Sequence, residues 1–256
     1  MKPTLTIISF FFIFNAFSQV NELKPIKAEK HPIQYFLSLP KNWSKDKTWP
    51  VVMVLEAADK EYKKNAEKFI AARGDMPFIL IAPFNTNNGN QGRRDPNLFP
   101  YSTETWDYME KIGDCQFNED GIQQIIKEVS AKYNGEQKVF MTGFEAGTHV
   151  LWSIVFNHPE WLRAAASVEG NFRNRCIEPS KVSTDPSRKN LPVKSFLGDK
   201  DEYFGPNGKN YNQWAEVKSI AQNNGFENVS EKIVTDVGHQ PMPEEVMTYF
   251  NSFLKK

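Results

Sequence analysis

Apolar residues recur along this chain with two different periods. Short unbroken runs form the first set: Val51-Val52-Met53-Val54-Leu55, Phe78-Ile79-Leu80-Ile81-Ala82-Pro83, Val139-Phe140-Met141, Leu162 to Val168, and Pro192 to Leu197. Runs this short, with no polar face, predict strands buried on both sides in a parallel sheet. Ser230 to Val234 reads as a further strand. Ile33 to Leu39 alternates and stops at Pro40, as an edge strand does. The second set has helical spacing: Lys60 to Ala72, Glu119 to Tyr133, the residues after Gly147, Tyr211 to Asn223, and Pro243 to Leu254. Ile122, Ile125, Ile126 and Val129 share one helix face, and so do His149, Leu151, Trp152, Val155 and Phe156. Strands and helices in alternation predict an α/β fold, a mostly parallel central sheet with helices on both faces.

Two stretches interrupt this alternation. Asn85 to Asp114 reads as a long polar loop holding Arg93, Arg94, Phe99, Tyr101, Trp106 and Tyr108. A loop of that length in a compact domain is usually functional. Residues 171–190 are polar, contain Pro179 and Pro186, and read as an inserted loop.

The first residues follow a different logic. Lys2 gives a positive start, Leu5 to Phe17 is apolar but too short to span a bilayer, and Ala16-Phe17-Ser18 offers small residues to a signal peptidase. Cleavage is expected before Gln19, with an uncleaved anchor as the alternative. That leaves a linker over 19–30 and one domain over 31–256, exported to the periplasm or beyond. Lys and Arg together number 31 and Asp and Glu together 31. A balanced charge gives no reason to expect nucleic acid or an anionic membrane as partner. The two cysteines, Cys115 and Cys176, invite a disulfide in an exported chain. It would close a loop of about 60 residues and contribute roughly 4 kcal/mol. Two separate buried thiols are the other reading.

Chemistry concentrates where the period changes from strand to helix. Gly143-Phe144-Glu145-Ala146-Gly147 has the G-x-S-x-G pattern of a nucleophile elbow, with glutamate in place of serine. Further along come His158-Pro159, Ala164-Ala165-Ala166, the G-x-x-D of Gly198 to Asp201, and Gly238-His239 ahead of the last helix. The order of nucleophile, acid and histidine, with this element pattern, resembles the α/β-hydrolase superfamily. It is most similar to the exported polyhydroxybutyrate-depolymerase and feruloyl-esterase-like group, from about residue 31 onward. The resemblance implies the α/β-hydrolase fold and puts Glu145 at the nucleophile position, Asp201 at the triad acid and His239 at the triad base. Asp199 and Glu202 are alternative acids. It also implies that both cysteines lie near the carboxyl end of the sheet. The strand-end motif that usually reads Leu-His-Gly here reads Leu55-Glu56-Ala57. Both places where serine chemistry is concentrated therefore carry glutamate, and acyl transfer through serine is excluded at position 145.

Three readings of function follow. In the first, Glu145 and His239, oriented by Asp201, form a proton-exchanging pair, with burial or Glu56 raising the Glu145 pKa. The reaction would be β-elimination at an acidic sugar of an oligosaccharide. Glu56, Arg93, Arg94, Trp106 and Ala146 would bind the substrate, the two arginines clamping its carboxylate. In the second, Glu145 is a carboxylate nucleophile in a hydrolase. In the third, the chain binds carbohydrate and catalyses nothing. Glu56, Glu145, Asp201 and His239 are acceptable metal ligands without a close-spaced ligand motif, so neither metal nor cofactor is expected. The expected partner is a small molecule or oligosaccharide.

Overall fold

The computed structural model describes residues 23–86, 101–173 and 175–254. The expected leader, Arg93, Arg94 and Phe99 lie outside them.

The described strands are β1 (Ile26–Lys27), β2 (Gln34–Ser38), β3 (Val51–Leu55), β4 (Ile79–Pro83), β5 (Val139–Phe144), β6 (Leu162–Val168), β7 (Val193–Gly198) and β8 (Val229–Val234). They form one sheet in the order β1-β2-β4-β3-β5-β6-β7-β8. β1 pairs antiparallel with β2, and β2 with β4; the remaining pairs are parallel. β3 and β4 are buried at every position, as their unbroken apolar runs require. β1 falls inside the stretch expected to be linker. Its two residues pair with Tyr35 and Gln34.

The helices are α1 (Tyr62–Arg73), α2 (Thr103–Ile112), α3 (Asp114–Tyr133), α4 (Gly147–Asn157), α5 (Asn212–Asn223) and α6 (Pro243–Asn251). None of them is long and apolar enough to cross a membrane. The sequence reading missed α2, which lies in the expected long loop. Ser102 caps it by accepting from the Thr105 N–H at 3.3 Å. It buries Thr105, Trp106 and Met109 on one side, too few apolar positions to show a period against its polar residues. α3 starts at Asp114, ahead of the expected Glu119.

α4 is buried from Gly147 through Phe156 and packs against β3, β5 and β6. Ala164, Ala165 and Ala166 on β6 are fully buried, and α4, with its buried Trp152 and Phe156, packs against that strand. The Cys115–Cys176 disulfide is present, with Cα atoms 5.4 Å apart. Together with the Arg175–Asp114 ion pair at 3.1 Å, it ties the segment after β6 to the first turn of α3.

Candidate active site

The turn from β5 into α4 is as tight as the glycine spacing implies. A Cβ on Gly143 would lie 2.7 Å from the backbone of Gly147, and one on Gly147 would lie 2.6 Å from the Leu55 carbonyl. Only glycine lets the strand, the helix and the end of β3 approach this closely. Between them Glu145 takes φ 45°, a left-handed conformation that costs a glutamate energy. The turn is held by its own backbone. The Glu145 N–H donates to Val168 at 3.0 Å, and the Glu145 carbonyl accepts from the Thr148 hydroxyl at 2.6 Å and the Asn171 N–H at 3.3 Å.

The Glu145 side chain, half-buried, reaches back toward the loop after β3. Its Oε2 accepts the Ala58 N–H at 3.2 Å, and its Oε1 accepts from Asn171 Nδ2 at 3.4 Å. In an elbow of this kind the loop amide and the amide of residue 146 face the oxygen that gains charge during acyl transfer. Here the carboxylate itself takes the loop amide. Ala146 is buried at the head of α4, and its N–H meets no acceptor among the described residues.

The loop after β3 holds a second carboxyl. Glu56 is buried, not turned to solvent, and its Oε1 accepts the Ala57 N–H at 2.8 Å. Asn85 fixes the strand end by accepting the Glu56 N–H at 3.2 Å. Burial, with Asp59 adding to it, pushes the Glu56 carboxyl up to about 8 against the Ala57 amide. Lys60 is buried too. Burial pushes its ammonium down to about 8, opposed by the charges of Glu56 and Glu145. Lys60 Nζ donates to the Ala57 carbonyl at 3.4 Å, within electrostatic reach of both glutamates. Neither Lys60 nor Asn85 was legible as a site residue. Nothing in local spacing links them to position 145.

His239 lies beside this turn, its ring 5.0 Å from that of Phe144 and flanked by Tyr203 and Phe204. Its Nδ1 is 2.8 Å from Asp201 Oδ2. Asp201, rather than Asp199 or Glu202, is therefore the acid of the pair. The other Asp201 oxygen accepts the Tyr203 N–H at 2.6 Å. Burial works against its ionised form, but contacts with Glu169, His239 and the Tyr203 amide hold its pKa below the ordinary value. No hydrogen bond joins Glu145 to His239 among the described residues. The two side chains are thus not in direct hydrogen-bond contact.

Trp106 does not supply a binding platform. It is 3% exposed, packed edge-on to Tyr101 within the core, because α2 turns its apolar side inward. The expected arginine clamp, Arg93 and Arg94, lies outside the described residues. No group of three or more His, Cys, Asp or Glu side chains among the described residues is arranged to hold a metal ion. A cavity of about 450 Å³, lined by Lys194, Phe196, Lys232 and Tyr249 among others, borders none of the elbow or relay residues.

Sequence reading also missed Glu169, the last link behind Asp201. A signal was present: like Glu145, it follows directly on an apolar strand.

No protein family profile and no curated protein matches the sequence. Solved structures do match in shape. Poly(aspartic acid) hydrolase-1 from Sphingomonas sp. KT-1 aligns with a TM-score of 0.61 at 12% identity, covering 91% of this chain and 98% of that one. A putative dienelactone hydrolase from Klebsiella pneumoniae gives 0.59 at 16% identity, covering 91% and 96%. A thermostable esterase gives 0.55 at 18% identity over 90% of this chain, which spans 60% of that esterase's length. Identities this low speak to architecture alone. With its strand order, its elbow between β5 and α4 and its acid–histidine pair after β7 and β8, the chain has the α/β-hydrolase fold.

Proposed function

We propose that this chain is a hydrolase with a carboxylate nucleophile, in which Glu145 forms an ester with substrate and His239 activates the water that cleaves it. The observation that carries this reading is the Ala58 N–H on Glu145 Oε2 at 3.2 Å. A nucleophilic carboxylate needs one oxygen held and the other able to attack. Oε2 is the held one. Among the described residues Oε1 has only the long Asn171 contact at 3.4 Å. Attack by Oε1 on a saturated carbon forms the C–Oε1 bond as the bond from that carbon to its leaving group breaks, the leaving group departing with the electron pair, and makes Oε2 the carbonyl oxygen of the new ester. Water attack on the Glu145 Cδ then places negative charge on Oε2, already against the Ala58 backbone donor. His239, oriented through Nδ1 by Asp201, takes the water proton on Nε2. It returns that proton to the departing oxygen, and one oxygen from water remains in Glu145.

The extra methylene of glutamate relative to aspartate shifts the attacking oxygen, and misplacement is costly in catalysis. The Ala58 contact supports this reading, because the longer side chain reaches the loop amide. The names of the similar structures, an esterase, a dienelactone hydrolase and a poly(aspartic acid) hydrolase, also favour hydrolysis. Elimination at an acidic sugar needs Glu145 and His239 as a proton couple, and no hydrogen bond joins them among the described residues. Binding without turnover leaves the acid–histidine pair without a task. The leader-like start and the disulfide support export.

The test is a single turnover in heavy-oxygen water, with the mature protein in excess over a panel of aryl and alkyl esters, epoxides and uronic-acid oligosaccharides. Hydrolysis with heavy oxygen in the peptide containing Glu145 is expected. Loss of water from an acidic sugar with no label identifies the elimination reading. No change in any substrate, with one retained by the protein, identifies the binding reading.

A further inference from the structure

Behind Asp201 lies a carboxyl that the proposed reaction does not use. Glu169 follows β6, is 0% exposed and takes φ 44°. Its N–H donates to Phe196 at 3.0 Å, continuing the parallel ladder, and its Oε1 accepts the Gly198 N–H at 2.6 Å. Gly198 has no room for a side chain: a Cβ there would lie 2.3 Å from the Val237 carbonyl and 2.8 Å from Glu169 Oε1. That close approach brings Glu169 up against the turn carrying Asp201. Glu169 Oε2 is buried, and no N–H or O–H group among the described residues donates to it. Its charged neighbour is Asp201, whose own charged neighbour is His239.

Two carboxylates cannot donate to each other. The contact between Glu169 and Asp201 becomes a hydrogen bond only when one carboxyl carries a proton. Asp201 faces His239 and the Tyr203 and Phe204 amides, all of which favour its ionised form. Glu169 faces one amide and a negative charge. We propose that Glu169 is a positioning residue: it holds a proton, donates it as a hydrogen bond to Asp201, and so fixes Asp201 on His239. Burial first, and then Asp201, push the Glu169 carboxyl up to about 9, against the Gly198 amide. The proton stays on Glu169 throughout; what it supplies is a fixed, shared negative charge behind the imidazole. This role depends on the hydrolase reading only for what His239 does afterwards.

The experiment is an NMR titration of the mature, disulfide-bonded protein without substrate, so its failure and the failure of the hydrolase reading are separate results. With glutamate carboxyl-13C label, one resonance absent from Glu169→Gln is expected to remain in its protonated position at pH 7. The His239 imidazole is followed in the same samples. Glutamine mimics the protonated acid, as it accepts from Gly198 and donates to Asp201, so Glu169→Gln is expected to leave the His239 midpoint in place. Glu169→Ala removes the donor, concentrates the Asp201 charge on His239 and is expected to raise the midpoint by roughly half a unit or more. An ionised Glu169 at pH 7, a lower His239 midpoint in Glu169→Gln, or no movement in either variant overturns the proposal. If Glu169→Ala does not fold, the labelled wild-type protein and Glu169→Gln still decide it.

Discussion

Adjacent strands β5 and β6 each run into a glutamate with left-handed backbone, Glu145 at φ 45° and Glu169 at φ 44°. Each continues the ladder through its own N–H, and each carboxyl accepts a backbone N–H from a neighbouring segment, Ala58 at 3.2 Å for Glu145 and Gly198 at 2.6 Å for Glu169. The difference lies in what surrounds them. Glu145 is half-buried, with Lys60 near it; Glu169 is sealed from solvent beside another carboxyl. The strand end determines where a side chain emerges, and the local dielectric and charge determine what it can do there.

The comparison breaks most readily at Glu145. Glu145→Gln keeps the shape and the amide contact but removes the nucleophile, so kcat on a genuine substrate is expected to fall by about 10⁴-fold or more. Glu169→Gln is expected to stay within a few-fold of the natural protein. Equal losses would mean that the two glutamates act as one unit.

Reducing the disulfide is expected to act on both sites, through stability. The two cysteines are separated by 61 positions, and opening a loop of that size removes about 4 kcal/mol. Urea unfolding with and without reductant measures it. Because the bond anchors the segment that follows Asn171, turnover is expected to suffer before global unfolding, while the Glu169–Gly198 contact inside the sheet persists.

Glu169→Ala is expected to cost about 1–3 kcal/mol, because the Gly198 N–H is left buried without an acceptor. Glutamine there is expected to cost less, and it also alters the pH dependence. The folded chain keeps a proton on Glu169 that the unfolded chain releases above the ordinary value of 4.5. Its stabilising contribution is complete below 4.5 and declines as pH rises to about 9. Glu56 acts in the same direction up to about 8. Buried His31 and His149, each pushed down to about 4, act in the opposite direction up to the ordinary histidine value of 6.5, so the urea midpoint of the natural protein is expected to fall between pH 6.5 and about 8, and that of Glu169→Gln to fall less. An unchanged slope would assign the whole effect to Glu56.

The smallest effect is expected at Asn171. Its Nδ2 reaches Glu145 Oε1 at a long 3.4 Å, so Asn171→Ala is expected to change turnover by less than about tenfold, the scale of 1 kcal/mol or so for one neutral hydrogen bond. A larger loss would mean that Asn171 positions the attacking oxygen. No change in turnover would leave Ala58 as the sole anchor.

The sequence by itself determined the architecture and the location of the chemistry. Runs such as Val51–Leu55 and Leu162–Val168 carry no polar face and can only be satisfied inside a sheet, and the glycines at 143 and 147 mark a turn that no other residue fits. The order of Glu145, Asp201 and His239 then places one acid and one histidine at the same sheet end, and the disulfide was an expectation from two cysteines behind a leader-like start. What sequence left open were the partners of each charged group. That Glu145 turns to Ala58 rather than His239, that Glu56 and Lys60 are sealed beneath it, that Trp106 is core, and that Glu169 stands behind Asp201 were decided only by tertiary structure. The physical reason is range. Strand and turn preferences act between near neighbours, whereas the hydrogen bonds that set the Glu145 and Glu169 carboxyls join residues 26 to 87 positions apart, and pKa values follow burial that exists only once the sheet has closed.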